Sequence, residues 1–359
     1  MLELVIEMEK FDFTTFKKFR HDDPHVPTGF WFPTFMEPFQ ETFYKSGVNT
    51  FHSFLKKHYQ CKKWMLFSDY VIADKSKPND VMTLMIIPYF ISLADLKSII
   101  NDLQSKDIKH TKFINNEFIS FVNDAPVLFV NILMNKNRKL DFFDEKRTFQ
   151  IYTESAIKML KRWCRTTPEN RTRFEDEIKD LNSMQQELKK QSPNLSLLRD
   201  IFIVGNIVAY LMCETLKFIK DIEIIGWFSD RDKILDYKKK HIKTPLVEIF
   251  IANYFHILSK TQSLQNEPNL VFGLPEETGT VWYDECNRLC DYICGTIADY
   301  NLVNNSSTHN KFIFILEKLI ASNDKFLIYS IEMTKKQVCA KRITVNKGEC
   351  PVGTFVLYA

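Results

Sequence analysis

The segment NRLCDYICGTIADYN (287–301) has the apolar spacing of a buried helix, yet it carries carboxylates. Apolar residues recur at helical spacing from Cys286 to Ile297, and Asp291 lies at the edge of that apolar face. A carboxylate on a buried element costs several kcal/mol unless it is paired, hydrogen-bonded or bound to a metal. Asp291 therefore needs a partner from elsewhere in the chain.

Two strand-like runs upstream carry acids in the same way. Asp69 lies within FSDYVIAD (67–74), and Asp230 and Asp232 lie near the end of IEIIGWFSDRDKI (222–234). Residues two apart on a strand point to the same face, so Asp230 and Asp232 could share a cation if the strand continues. Three acid-bearing elements far apart in sequence indicate acids gathered around a divalent metal ion, an arrangement that cleaves phosphodiesters.

Each acid also has a purely structural interpretation. Asp69 could lie on an edge strand in solvent, and Asp232 could cap the helix that follows a polar turn. On the helix that contains the first segment, Asp284, Arg288 and Asp291 fall on one stripe. Arg288 could then pair with both acids on a wet surface, and no chemistry would follow.

The composition is that of an ordinary folded protein, because 45% of the residues are hydrophobic and 26% are charged. A net charge of +3 is too small to argue for nucleic acid by itself. The N-terminal stretch MLELVIEMEK lacks the features of a secretory signal. The eight cysteines are predicted to be reduced thiols in the cytoplasm. Asn206, Glu214 and Lys217 interrupt the apolar run 201–219, which predicts a buried helix and no membrane span.

The order of predicted elements is that of an α/β protein with helices packed on a mixed central sheet. Strands are predicted, with helices between them, over 64–73, 81–89, 125–136, 222–230 and 269–276. The first two of these strands are predicted to form a hairpin. We divide the chain into an N-terminal wrap (1–60), an α/β domain (61–303) with a helical insert at about 140–195, and a C-terminal helix with β-strands packed on the core (304–359). Within the insert, the highly charged stretch 167–192 is predicted to be a solvated helical excursion.

Four short motifs together resemble an RNase H-like domain. FSDYVIADKSKPNDVMTLMIIPY (67–89) resembles its opening hairpin, whose first strand carries the leading metal-binding aspartate. SKDIKHTK (105–112) is similar to the acid-x-Lys element of a poorly characterised bacterial branch of that superfamily. WFSDRDK (227–233) resembles the later strand-end acids of this branch, and NRLCDYICGTIADY (287–300) resembles its closing helix. The resemblance covers 64–300 and implies an RNase H-like mixed sheet with a helical insertion and a small C-terminal β extension.

The resemblance also implies a metal site for one or two Mg²⁺ or Mn²⁺ ions, since hard cations prefer carboxylate oxygens. The implied ligands are Asp69, Asp107, Asp230 or Asp232, and Asp291. Lys109 would hold a phosphate of DNA or RNA, or pair with the acids. Two departures stand out: the acid-x-Lys acid is Asp107 where a glutamate is expected, and the insert at 140–195 has no counterpart.

Two classes of function follow from these observations. A metal-dependent nuclease requires at least three of the four acids to lie within about 5 Å of a common point, because metal–oxygen bonds are only about 2–2.6 Å long. A non-catalytic module of the same fold, which binds nucleic acid or a protein in phage defence or a mobile element, would have the acids dispersed or neutralised by Arg231, Arg288 or Lys109. The sequence leaves a protein partner or a homo-oligomer open.

A restriction-type nuclease is a weaker match. Asp80 together with Asp107-Ile108-Lys109 has the residue types of that signature. The signature needs its acid-x-Lys on a strand, whereas here it follows a predicted helix.

Overall fold

The computed structural model describes residues 33–235, 237, 244–261, 267–273, 281–347 and 355–358. In these ranges the chain forms one eight-stranded mixed sheet with helices on both faces. The strands are β1 (Lys63–Val71), β2 (Asp80–Pro88), β3 (Leu128–Met134), β4 (Ile224–Ser229), β5 (Asn269–Gly273), β6 (Phe326–Met333), β7 (Val338–Lys347) and β8 (Phe355–Tyr358).

The helices of the described residues alternate with these strands along the chain. They are α1 (Met36–Ser46), α2 (Val48–Lys57), α3 (Leu93–Leu103), α4 (Asn116–Asp124), α5 (Glu145–Thr166), α6 (Arg171–Leu188), α7 (Leu195–Phe218), α8 (Leu246–Thr261), α9 (Asp284–Asp299) and α10 (Asn310–Ile315). A 3₁₀ turn covers Ile108–His110, and a π turn at Leu316–Ile320 continues α10. The predicted α/β class is confirmed.

The strands lie in the order β5-β4-β1-β2-β3-β6-β7-β8. β1, β2 and β3 form an antiparallel meander, which confirms the predicted hairpin, and β4 pairs with the other side of β1 in parallel. The register sets Ser68 of β1 beside Ser229 of β4. Because parallel strands end at the same edge of a sheet, the residues that follow these serines meet.

Both faces of the sheet are covered, so β1 is buried from Trp64 to Tyr70. Alternate residues serve different cores. Met65 and Phe67 face a core built with α3, α4, α9 and α10, which we call the site face. Leu66 and Tyr70 face a larger core built with α1, α2 and α5 to α8. By this alternation Asp69 belongs to the site face.

The insert is part of this larger core. Phe174, Leu181 and Met184 on α6 are buried at helical spacing, while its charged residues cover the outer side. The prediction of a solvated excursion is therefore wrong for one face of α6. The high overall charge of this segment obscures the narrow stripe of apolar residues along the helix.

The N-terminal prediction is answered only in part, since residues 1–32 lie outside the described residues. The sequence predicts an irregular wrap over 21–39, which is wrong from Met36 to Phe39, where α1 begins. The short helix predicted over 50–63 corresponds to α2. Of the described helices, only α7 is long and apolar enough to cross a membrane, and 83% of its most apolar window is buried inside the protein. That burial is typical of a core helix.

A buried ion network ties the start of β2 to α7. Arg138 is 3% exposed; its Nη1 donates to Asp80 Oδ2 at 2.6 Å, and its Nη2 donates to Asp200 Oδ1 at 2.6 Å. Asp80 Oδ1 accepts from the backbone N–H of Ala73, in the connection that follows β1. The network therefore fixes the connection beyond Asp69. It also assigns Asp80 to Arg138 and excludes it from a restriction-type site.

We expect Arg138→Met to lower the free energy of unfolding by about 3 kcal/mol, because it leaves two carboxylates buried without their cation. Urea unfolding followed by circular dichroism measures the change. Arg147→Met is the matched control, since Arg147 is 55% exposed and its ion pair contributes little. Equal stabilities of the two variants would contradict a structural role for the network.

Candidate functional site

A cleft of about 410 Å³ lies on the site face where β1 and β4 end. All six residues proposed from the sequence line it: Asp69, Asp107, Lys109, Asp230, Asp232 and Asp291. Asp284 lines it as well, and we call it the acid cleft. Residues up to 222 positions apart in sequence thus meet in one place, as the resemblance requires.

Asp69 lies in the middle of the sheet and not at an edge. Its strand runs between β2 and β4, its register partner on β2 is Thr83, and its residue exposure is 7%. The edge-strand interpretation is therefore wrong. On the opposite face, Ser68 Oγ and Tyr70 OH lie 2.6 Å apart and Trp227 Nε1 donates to Ser68 Oγ at 3.0 Å, which fixes the backbone on both sides of Asp69.

Asp230 is placed beside Asp69 by the end of β4. Its backbone N–H donates to Ser68 O at 2.9 Å, and the Tyr283 hydroxyl donates to Ser229 O at 2.9 Å. Each carboxyl group acts on the pKa of the other, so Asp230 and Asp69 lie close together.

Asp232 has a different local role, although it lines the same cleft. β4 ends at Ser229, so the strand does not continue and the predicted common face of Asp230 and Asp232 is wrong. Asp232 Oδ1 accepts from Ile234 N at 3.0 Å and its carbonyl accepts from Leu235 N. The residue stabilises a turn, and the next described helix, α8, begins only at Leu246.

Asp291 comes from α9, which packs across β1 and β2 on the site face. Its Oδ2 accepts from the backbone N–H of Ile108 at 2.7 Å. Gly295, one turn later, allows this approach, because a Cβ there would lie 3.1 Å from Ile108 Cγ2. α9 and the 3₁₀ turn are therefore locked together beside Asp69.

We call Asp69, Asp230 and Asp291 the inner trio, and Asp107 with Asp284 the outer pair. Arg288 stands between the members of the outer pair: Nε is 3.4 Å from Asp107 Oδ1 and Nη2 is 3.3 Å from Asp284 Oδ2. The predicted pairing of Arg288 with Asp284 is confirmed, but its second partner is Asp107. The predicted wet surface is wrong, since the arginine side chain is 7% exposed.

The three carboxyl groups of the inner trio have raised pKa values, because burial and neighbouring negative charges disfavour their charged form. Burial, and then the charges of Asp291 and Asp230, hold the pKa of Asp69 well above its usual value. Burial likewise raises the pKa of Asp230, and it raises the pKa of Asp291 to about 6 despite the Ile108 N–H. Within the described part of the chain, no ion pair involves any of the three. A cation in the cleft would relieve this repulsion.

The donor chemistry of the trio fits a hard divalent cation, since carboxylate oxygens are the ligands that Mg²⁺ and Mn²⁺ prefer. Among the described residues, no three His, Cys, Asp or Glu side chains already surround a common point as metal ligands.

Basic side chains form a rim around the same cleft. Lys109 is exposed; Lys77 pairs with Asp299 at 2.7 Å; Lys311 donates to Ile108 O at 2.5 Å and to Thr111 O at 2.9 Å. His309 lines the cleft too. Sequence reasoning missed Lys77, His309 and Lys311, because their position depends on how the hairpin turn and α10 pack and no local pattern marks it.

Comparisons with protein-family models, with curated proteins and with solved structures found no match to this chain.

The raised pKa values predict how the metal-free stability depends on pH. A carboxyl with a raised folded-state pKa binds its proton more tightly in the folded state, so the free energy of unfolding falls as pH rises through that window. For Asp291 the window runs from about 4 to about 6. Across this window, the free energy of unfolding of Asp291→Asn should rise by about 2 kcal/mol relative to the wild type. At higher pH this difference should persist.

Thermal unfolding in chelator from pH 4 to pH 8 measures this difference. Asp102→Asn on the exposed side of α3 serves as the control and should follow the wild type at each pH. If the wild type instead became more stable relative to Asp291→Asn as the pH rises, the Asp291 carboxylate would have a favourable partner in the folded state.

Proposed function

We propose that this protein is a metal-dependent nuclease, built on an RNase H-like core, that cleaves the phosphodiester bonds of nucleic acid. One observation carries the proposal: Asp69, Asp230 and Asp291 come from a central strand, the end of its parallel neighbour and a late helix, and they converge in one cleft without a neutralising partner among the described residues. These are three of the four elements to which the resemblance assigns acids; the fourth, SKDIKHTK (105–112), carries Asp107.

The chain's own residues define the roles. Asp69, Asp230 and Asp291 would hold the cation, and backbone contacts fix Asp230 to β1 and Asp291 to the 3₁₀ turn. A bound divalent cation would lower the pKa of a coordinated water and neutralise the charge of the scissile phosphate. Lys109 is exposed beside the trio and can reach a neighbouring phosphate.

The charge pattern of the cleft favours a polyanionic substrate over a neutral one. The seven aspartates of the cleft, two of which Arg288 neutralises, would repel a phosphate unless a metal cation were bound, whereas Lys109 and Lys311 on the rim attract one. The aspartates are Asp69, Asp74, Asp107, Asp230, Asp232, Asp284 and Asp291. The cleft is thus suited to an anion whose binding requires the metal.

The alternative, a non-catalytic binding module, requires neutralised or dispersed acids. Arg288 does neutralise the outer pair. The inner trio lacks such a partner among the described residues and keeps its raised pKa values, so catalysis fits the trio better.

Labelled single-stranded DNA, double-stranded DNA, RNA and an RNA–DNA hybrid, incubated with the purified chain, test the proposal. We expect cleavage of at least one substrate in Mg²⁺ or Mn²⁺ and none in chelator. Ca²⁺ should support binding without cleavage, because its coordination is larger and looser. Cleavage that persists in chelator, or intact substrates in both Mg²⁺ and Mn²⁺, would overturn the proposal.

A further inference from the structure

Arg288 is a buried cation at the wall of the acid cleft. It lies on α9 three residues before Asp291, and its side chain is 7% exposed. Its Nη1 donates to Gln104 O at 2.8 Å, at the end of α3, while Nη2 and Nε face Asp284 and Asp107. Three contacts in three directions hold the guanidinium in one place.

The outer pair belongs to the same electrostatic unit as the inner trio. The charge of Asp107 acts on Asp291, and the charges of Asp284 and Asp107 act on Asp230. Five carboxylates therefore share one field, and Arg288 is the cation placed among them. A second divalent ion at the outer pair would meet this fixed positive charge and would have to displace it.

Nε of Arg288 is buried and makes no hydrogen bond within the described residues, since Asp107 Oδ1 at 3.4 Å is an ion-pair contact only. A side chain that served only to tie α9 to α3 would satisfy this N–H. Arg288 lies between two carboxylates, and its Nε–H is left without a hydrogen bond. This arrangement fits a residue that neutralises the carboxylates of the cleft.

We propose that Arg288 takes the place of a second metal ion: it neutralises Asp107 and Asp284, so that the acid cleft binds a single divalent cation at Asp69, Asp230 and Asp291. This inference rests on the proposed function and specifies its metal requirement. Arg288 and the outer pair then act as positioning residues, and Asp107 is not a ligand of the ion.

Titration of the full chain with Mn²⁺ alone at neutral pH, followed by calorimetry and by electron paramagnetic resonance of the free ion, tests the stoichiometry. We expect one ion for the wild type. Arg288→Met should bind two, because the outer pair loses its cation, and Arg288→Lys should bind one. Arg171→Met, an exposed arginine on α6, is the matched control and should bind one.

The Asp107→Asn variant gives a second test of the inference. It retains Arg288, so its result does not depend on whether Arg288→Met folds. It should still bind one Mn²⁺, with an affinity reduced by no more than about tenfold, since the change removes a neighbouring charge and no ligand. Two ions on the wild type, one on a folded Arg288→Met, or loss of binding in Asp107→Asn would each overturn the inference.

The outcomes also separate this inference from the proposed function. If the wild type binds no Mn²⁺, both the proposed nuclease function and the role of Arg288 are wrong. A wild type that binds two ions and cleaves nucleic acid keeps the nuclease and removes only the role assigned to Arg288.

Discussion

Asp69→Asn is expected to reduce metal-dependent cleavage of nucleic acid by about a thousandfold, on the scale seen when one charged member of a catalytic unit is removed. The substitution is nearly isosteric, and its amide can hydrogen-bond to Asp230. It removes the carboxylate at the centre of the trio, whose charge is needed to hold a cation beside Asp230 and Asp291. Initial rates at saturating Mg²⁺ measure the effect.

Stability distinguishes this loss from damage to the fold. Burial and repulsion make the Asp69 carboxylate unfavourable in the metal-free protein, so Asp69→Asn should unfold in chelator at the wild-type temperature or above it. The wild type should be stabilised by Mn²⁺, and the variant should not. Cleavage within tenfold of the wild type would remove Asp69 from the site, and with it the proposed mechanism.

The parts of this site that sequence predicts are those that depend on local pattern. The acids of β1, β4 and α9 interrupt apolar runs, and a buried carboxylate has few structural explanations, so Asp69 and Asp291 could be proposed without coordinates. The hairpin of β1 and β2 followed from local signals as well.

The parts that sequence does not predict depend on packing between distant elements. The pairing of Arg288 with Asp107 requires α9 and the end of α3 to meet, and i,i+3 and i,i+4 spacing indicates only partners on the same helix. The buried side of α6 was hidden by its charge, and the rim lysine Lys311 lies on a short helix with no distinguishing pattern. Tertiary contacts decide each of these.

The choice between Asp230 and Asp232 shows the same limit and gives the second prediction. Both acids follow one strand, and only the length of β4 determines which of them lies beside Asp69. Because the strand ends at Ser229, Asp230 lies beside Asp69, whereas Asp232 accepts from Ile234 N. We expect Asp230→Asn to lower the cleavage rate by about a hundredfold to a thousandfold, and Asp232→Asn by less than about threefold.

The two variants form a matched pair, because each removes one charge from the same turn without a change in size. Asparagine makes the same turn as aspartate, so Asp232→Asn should alter the free energy of unfolding by less than about 0.5 kcal/mol. Mn²⁺ titration should show weakened binding for Asp230→Asn only. If Asp232→Asn lost as much activity and metal binding as Asp230→Asn, the turn after β4 would have to rearrange when the cation binds, since Asp232 can join the trio only by giving up its hydrogen bond to Ile234.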